Sequence, residues 1–220
     1  MTLSRREMLA AGCGAAILWS APGWAQDAPA QTTPPPAPTP APTVTPSVPL
    51  TPPTSGFVVD WQGGPQTSAV VASLHAQIAL VKALSIKPEI MAFFAAQPIT
   101  VDLTAGTGIR ATKTGIAFGR QPASPDNPVL LHELLHRYHL EMLPQGFDNP
   151  QIIAFYDAAK ASGAYPANEY MFKDRREFFA MCGSVTLYGK AARQPLTRAS
   201  VEKNLPDVYA WFVNAFALVI

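Results

Sequence analysis

The sequence predicts an α+β fold in which a small mixed sheet packs on helices. Apolar residues recur at helical spacing over residues 67–84, whereas residues 99–103 alternate apolar and polar side chains as a strand does. The pairs Asn127-Pro128 and Asn149-Pro150 each combine a capping residue with a proline suited to the first helical turn. Residues 57–220 are long enough for one domain with its own core.

Each predicted element has a local signal in the sequence. Val70, Leu74 and Ile78 lie on the apolar stripe of the first helix. The third helix should stop at Leu143, ahead of a proline, and Gly163 ends the next one. The predicted helices are residues 67–84, 88–96, 128–143, 150–163, 174–189 and 206–219, and the predicted strands are residues 99–103 and 114–119.

The third predicted helix carries an H-E-x-x-H motif made by His132, Glu133 and His136. Residues four apart lie on one helix face, so the two imidazoles can each offer a nitrogen to one zinc ion at about 2.0–2.1 Å. Glu133 directly follows the first histidine, where its carboxylate can act as general base towards a zinc-coordinated water. The alternative is that both histidines are core residues bonded to backbone carbonyls.

A third ligand is needed, and it is sought further along the chain. The metzincin continuation is absent, because His139 and Met142 occupy the positions of its glycine and third histidine. A glutamate on a later helix can close the site instead, and Glu177 is favoured because residues 178–189 carry no charge. A carboxylate beside such an apolar helix must be paired or bound to a metal. Its alternative role is that of capping-box partner to Asp174. The other downstream candidates are Glu141, Glu169 and Glu202.

Residues 170–180 carry a family resemblance. Tyr170, Glu177 and the Phe-Phe-Ala that follows resemble the Tyr-x6-Glu-Phe-Phe-Ala segment of the anthrax lethal factor catalytic domain, whose superfamily includes Pro-Pro endopeptidases. The resemblance extends over residues 128–189, with Met181 in place of an acidic residue of the family. It implies a zincin-like fold in which His132, His136 and Glu177 bind zinc, Glu133 is the base and Tyr170 stabilises the transition state.

The resemblance implies a zinc metalloendopeptidase of the gluzincin type, with one zinc ion per chain and a peptide or protein substrate. In zincin-type peptidases the substrate pairs with an edge strand above the metal, and residues 114–119 are the expected edge by analogy. Tyr170 has the alternative role of a packed aromatic residue. His139 is expected to be solvated near the helix end. Two other functions stay open, a non-catalytic, zinc-stabilised peptide-binding module and a hydrolase of a non-peptide cell-wall amide.

The first 25 residues predict an export signal rather than part of the fold. Residues 4–9 resemble a twin-arginine motif, and residues 8–25 are uncharged and end in small residues suited to cleavage before Gln26. Because this stretch is short and interrupted by glycine and proline, no stable membrane span is expected after its removal. The expected location is the periplasm or the medium. Lipid attachment at Cys13 is the less favoured alternative, because Cys13 comes too early in the uncharged stretch.

Residues 26–56 are predicted to be a disordered, Pro-rich tether, and residues 57–220 a zinc metallopeptidase-like domain. Nearly half of the 23 prolines lie in the tether, which cannot bury enough apolar surface to fold. Its alternative role is that of a ligand. The net charge of +1 argues against a broad attraction to nucleic acid. Loss of Cys13 with the signal leaves Cys182 alone, so the mature chain is expected to have no internal disulfide.

Overall fold

The computed structural model describes residues 56–104, 106, 108–192 and 196–219. The predicted export signal (residues 1–25) and all but the last residue of the predicted tether (residues 26–56) lie outside them. Within the described part of the chain, no helix combines the length and the apolar character of a membrane span.

The predicted α+β fold is confirmed, with a four-stranded mixed sheet packed on helices. The strand order is β1-β2-β4-β3, in which β1, β2 and β4 run parallel and β3 runs antiparallel to β4. The strands are β1 (Val59–Gln62), β2 (Ile99–Asp102), β3 (Ile109–Ala111) and β4 (Ile116–Phe118). The helices are α1 (Ser68–Lys82), α2 (Pro88–Ala96), α3 (Val129–Met142), α4 (Pro150–Ser162), α5 (Arg175–Tyr188), α6 (Arg198–Asn204) and α7 (Pro206–Phe216).

The prediction that residues 114–119 form an edge strand is wrong, because β4 lies inside the sheet between β2 and β3. The chain reverses at a tight turn in which the N–H of Thr112 donates to the carbonyl of Gly115 at 2.8 Å, and this turn adds β3 outside β4. Gly115 is required there, since a Cβ at this position would lie 2.3 Å from the carbonyl oxygen of Pro98. The edge next to β4 is therefore β3.

Helix α5 lies between α3 and α7 and forms the centre of the helical layer. Its glycine, Gly183, permits the close approach, because a Cβ there would lie 2.9 Å from both Leu135 of α3 and Phe212 of α7. Residues 178–187 of α5 are all buried, as their uncharged sequence predicts. The tight packing fixes the start of α5 relative to α3, and these two elements carry the site described below.

The start of α3 is capped from another helix. The expected cap at residues 126–127 is wrong, because Pro128 occupies the cap position and makes no side-chain capping bond. Gln77 of α1, fully buried, instead accepts from the N–H of Leu130 at 3.0 Å. Its amide group donates to the carbonyl of Asn127 at 2.7 Å and to that of Ser124 at 3.1 Å. Helix α1 thereby supplies hydrogen-bond partners to backbone groups at the start of α3.

Candidate metal centre

Three side chains from α3 and α5 converge at one point. His132 and His136 stand one turn apart on α3, and Glu177 lies in the first turn of α5. The Nε2 atom of His132 lies 3.1 Å from that of His136 and 3.1 Å from Oε2 of Glu177. The distance from His136 Nε2 to the same carboxylate oxygen is 3.7 Å. Among the described residues, these are the His, Cys, Asp and Glu side chains that gather closely enough to hold a metal ion.

The geometry of these three atoms fits a zinc ion. Ligands at about 2.0–2.1 Å in a tetrahedral arrangement are separated from one another by about 3.3–3.4 Å. The three observed separations, from 3.1 to 3.7 Å, bracket that value. Hydrogen bonds alone explain the cluster less well. Nε2 of His132 is either a donor or an acceptor, so it cannot bond equally well to His136 and to the Glu177 carboxylate. Two nitrogens and one oxygen are also the donor types that zinc prefers.

Burial and charge keep the Glu177 carboxylate ionised. Its side chain is only 13% exposed, and those of His132 and His136 are 7% and 11% exposed. Burial alone raises the pKa of Glu177, but hydrogen bonds and positive charge from the two histidines outweigh it and hold the pKa well below its usual range. Asp174 caps α5 by itself, accepting from the N–H groups of Arg176 and Glu177. The carboxylate of Glu177 is thus directed to the site rather than to the helix cap, which was its alternative role.

The structure also brings Tyr170 to this cluster. Tyr170 begins a short 3-10 turn (Tyr170–Phe172) just before α5, and its hydroxyl donates to Oε1 of Glu177 at 3.1 Å. Lys173 approaches the same carboxylate oxygen at 3.9 Å and lies over the Tyr170 ring, 5.3 Å from its centroid. The hydroxyl of Tyr170 therefore lies beside Glu177, where the family resemblance implies it should be.

Glu133 faces the sheet rather than the other side chains of the cluster. Its Oε2 accepts a hydrogen bond from the backbone N–H of Ala111, in β3, at 2.6 Å. Since Glu133 directly follows His132 on α3, this hydrogen bond connects the helix that carries the two histidines to the edge strand.

The remaining acidic candidates lie elsewhere. Glu141 pairs with Arg137 and accepts from Gln97 at 3.5 Å, and Glu202 is exposed on α6. Arg137 was not predicted as a site residue, yet it is buried and contacts the turn between β3 and β4. A signal was present, because Arg137 follows Glu133 by four residues and so shares its helix face.

His139 corrects a further expectation, since it is fully buried rather than solvated. Its ring lies between Phe147, with ring centroids 5.2 Å apart, and Phe179, at 4.5 Å. Burial, together with the nearby charges of His136 and Arg176, lowers the pKa of His139 to about 4. His139 is therefore a neutral, packed residue behind the cluster.

Comparison with known proteins places the fold. No family model matches this sequence, and no curated protein matches it. Among solved structures, the chain is similar to the Pro-Pro endopeptidase PPEP-2 from Paenibacillus alvei, with a TM-score of 0.52 and 17% sequence identity. The similarity covers 73% of this chain and 97% of that protein. The described domain thus has the zincin-like α+β fold of that endopeptidase, with His132 and His136 on a helix.

Proposed function

We propose that this protein is an exported zinc metallopeptidase that hydrolyses peptide bonds with the help of one zinc ion. The observation that carries the proposal is the convergence of His132, His136 and Glu177, with ligand atoms within 4.8 Å of one another. Glu133 lies on the same helix as the two histidines. The fold similarity to a Pro-Pro endopeptidase supports the same reaction class. The twin-arginine-like start of the sequence supports export.

His132, His136 and Glu177 would hold the metal and leave one coordination position open. A zinc ion bound there supplies a Lewis acid and lowers the pKa of a coordinated water to about 7. The packing of α5 against α3 holds the ligands in place before any metal arrives. Such preorganisation suits a catalytic site, which needs ligands in fixed positions.

Two other side chains would move or stabilise charge during hydrolysis. Glu133 takes the proton from the attacking water and can deliver it to the leaving amine. The N–H of Ala111 keeps that carboxylate oriented while it does so. Tyr170 carries a hydroxyl within 3.1 Å of Glu177, close enough to the cluster to donate to the substrate oxygen that gains negative charge.

The substrate is proposed to be an extended peptide that pairs with β3. In an antiparallel pair, alternate residues direct their N–H and C=O groups away from the partner strand. Gly108 and Thr112 bond to β4 and its flanks, so Ile109 and Ala111 face the free edge. Because the N–H of Ala111 is taken by Glu133, the groups left for a peptide are the carbonyl of Ala111 and both backbone groups of Ile109.

A non-catalytic zinc module is the less favoured function. A closed structural site requires four protein ligands, whereas the cluster in the described residues has three. Such a site also has no use for Glu133. Hydrolysis of a non-peptide cell-wall amide uses the same chemistry and differs only in substrate.

The decisive experiment combines metal analysis with cleavage profiling. The exported protein and its Glu133→Gln variant are purified, their zinc content is measured, and each is incubated with a diverse peptide library that includes Pro-Pro bonds. We expect one zinc ion in both proteins and cleavage by the wild type alone. Zinc with no cleavage of any peptide would favour the binding module, and release of fragments only from purified cell wall would favour the amide hydrolase.

A further inference from the structure

A buried arginine joins α3, the helix that carries two residues of the metal centre, to the edge of the sheet. We infer that Arg137 is a positioning residue that holds the β3–β4 hairpin in place to receive the substrate. The inference rests on the proposed function, because it concerns how a peptide strand is aligned with the metal. The contacts of Arg137, of Glu133 and of the hairpin turn carry it.

Three nitrogens of Arg137 are committed to partners from different parts of the chain. Nη1 donates to the carbonyl oxygens of Thr112 at 2.7 Å and Lys113 at 2.9 Å, both in the hairpin turn. Nε donates to Oε1 of Gln97 at 2.9 Å, and Nη2 pairs with Glu141, one turn later on α3. Only 6% of the Arg137 side chain is exposed. A planar group bound on several sides fixes the relative position of everything it contacts.

Arg137 acts together with Glu133, which lies one turn earlier on the same face of α3. Glu133 binds the N–H of Ala111, and Arg137 binds the carbonyls of the next two residues. Three consecutive hairpin residues, 111–113, are thus attached to the helix that also carries His132 and His136. The separation between the edge strand and the metal centre is therefore set through one rigid element.

The edge strand is short, so this attachment adds to the pairing with β4 and to the packing of Ile109 and Ala111 on the core. β3 has three residues and one neighbouring strand, β4. The turn residues Lys113 and Thr114 are exposed, so their side chains contribute little packing. Displacing a substrate-positioning element by on the order of 1 Å costs about a hundredfold in rate. A loosened hairpin should therefore weaken substrate binding while leaving the metal ligands intact.

The test uses Arg137→Lys, which keeps the charge but replaces a planar fork with a single ammonium group. The matched control is Arg198→Lys. Arg198 also donates to two backbone carbonyls, those of Thr186 at 3.0 Å and Leu187 at 3.2 Å, but near the end of α5 opposite Glu177. Both variants remove the same kind of contact, and only the first touches the hairpin.

Three quantities are measured on the zinc-loaded full-length proteins: zinc content, amide hydrogen exchange of residues 108–119, and steady-state kinetics on a fluorogenic peptide that the wild type cleaves. We expect Arg137→Lys to retain its zinc and to exchange faster in the hairpin. Its kcat/KM should fall between about tenfold and a hundredfold, mostly through KM. Arg198→Lys should match the wild type in hairpin exchange and in KM.

Unchanged hairpin exchange and KM in Arg137→Lys, or an equal rise in KM in Arg198→Lys, would overturn the inference. If Arg137→Lys folds poorly, Gln97→Met replaces it, because this variant removes the acceptor of Nε and leaves the arginine itself. We expect the same two changes on a smaller scale, and wild-type values in Gln97→Met would also contradict the inference. A wild type that cleaves no peptide would defeat the proposed function, while hairpin exchange would still decide the positioning role of Arg137.

Discussion

Glu133 and Glu177 are both glutamates on buried helices, yet their surroundings suit them to different tasks. Glu177 faces two histidines, which hold its pKa below the usual range and keep it ionised as a ligand must be. Glu133 faces a backbone N–H of β3 instead, and this hydrogen bond orients its carboxylate. This difference in partners supports the assignment of one residue as ligand and the other as base.

Removal of Glu177 tests the ligand assignment. Glu177→Ala should lose most of its zinc, because two histidines alone leave the ion with half of a tetrahedral ligand set. Glu141→Ala, which removes a carboxylate from the same region but outside the cluster, should keep it. Zinc content after dialysis against a weak chelator checks both. Full zinc in Glu177→Ala together with loss in Glu141→Ala would reverse the assignment.

The Tyr170 hydroxyl should contribute to turnover more than to metal binding. Tyr170→Phe removes a donor 3.1 Å from Glu177 and preserves the ring that contacts Lys173. Loss of one donor to a developing negative charge costs about a hundredfold in kcat at the lower end of the known range. We expect zinc affinity close to that of the wild type. Wild-type kcat at matched zinc content would return Tyr170 to a packing role.

His139 should make the stability of the fold depend on pH. Its pKa is lowered from 6.5 to about 4, mainly by burial. Between these two pH values the unfolded chain therefore binds a proton at this histidine, whereas the folded chain does not. Stability is therefore fully present above about pH 6.5 and is lost as the pH falls towards 4, by on the order of 3 kcal/mol in total. Replacement by leucine keeps the ring-lined space apolar and removes this dependence.

The measurement compares urea unfolding of the wild type and His139→Leu between pH 4 and 7, with chelator present so that metal release does not contribute. As the pH falls from 7 to 4, the unfolding free energy of the wild type should decrease more than that of the variant. Parallel curves would show that His139 does not carry the proton linkage.

At the scale of elements, six of the seven helices in the described residues were predicted, whereas the edge strands were not. The missed helix is α6 (Arg198–Asn204), a short polar segment without an apolar stripe. Helix ends depend on local signals such as Asn149 before Pro150 and the left-handed Gly163 and Gly189, and the observed ends lie close to the predicted ones. The sequence did not predict β1 or β3, which have four and three residues and acquire strand geometry from neighbours distant in the chain. The choice of edge strand failed for this reason.

The same distinction applies to the site. The spacing of His132 and His136, and the uncharged helix after Glu177, are local features, and the structure brings these residues together. Arg137 and Gln77 were missed because their importance comes from backbone groups on other elements. A single sequence does not reveal which carbonyls a buried side chain will meet.

Gln77 should be one of the most sensitive positions outside the site. Gln77→Leu leaves the N–H of Leu130 without its acceptor and removes one of the hydrogen bonds that the carbonyls of Ser124 and Asn127 accept, at a cost on the order of 3 kcal/mol. For a domain of this size, the melting temperature should fall by about 6–12 °C. Gln66→Leu, an exposed position before α1, is the control and should change little. Equal melting temperatures for the two variants would refute the capping role.

At the scale of the whole molecule, the Pro-rich segment is predicted to be an inert tether. Deletion of residues 28–54 should leave zinc content and kcat/KM unchanged, since a spacer needs no recognition. The competing idea is that the segment enters its own active site, where tethering gives it a high effective concentration. Pro34-Pro35-Pro36 and Pro52-Pro53 offer Pro-Pro bonds for such trimming.

The N-termini of the mature protein and of its Glu133→Gln variant, determined after incubation with zinc, separate these two ideas. Identical N-termini support the spacer. Shortening up to a Pro-Pro bond in the active protein alone would show that the segment is a substrate.

The proposed metal ligands come from two helices that are separated in the sequence, and a bound zinc ion would therefore also affect stability. Between His136 and Glu177 lie α4 and the 3-10 turns Gly146–Asp148 and Tyr170–Phe172, so a bound ion would join the ends of a loop of about 40 residues, as a covalent cross-link does. Such a tie reduces the freedom of the unfolded chain, and binding energy becomes folding energy. A copy of the protein without zinc would therefore lack activity and would also unfold more readily.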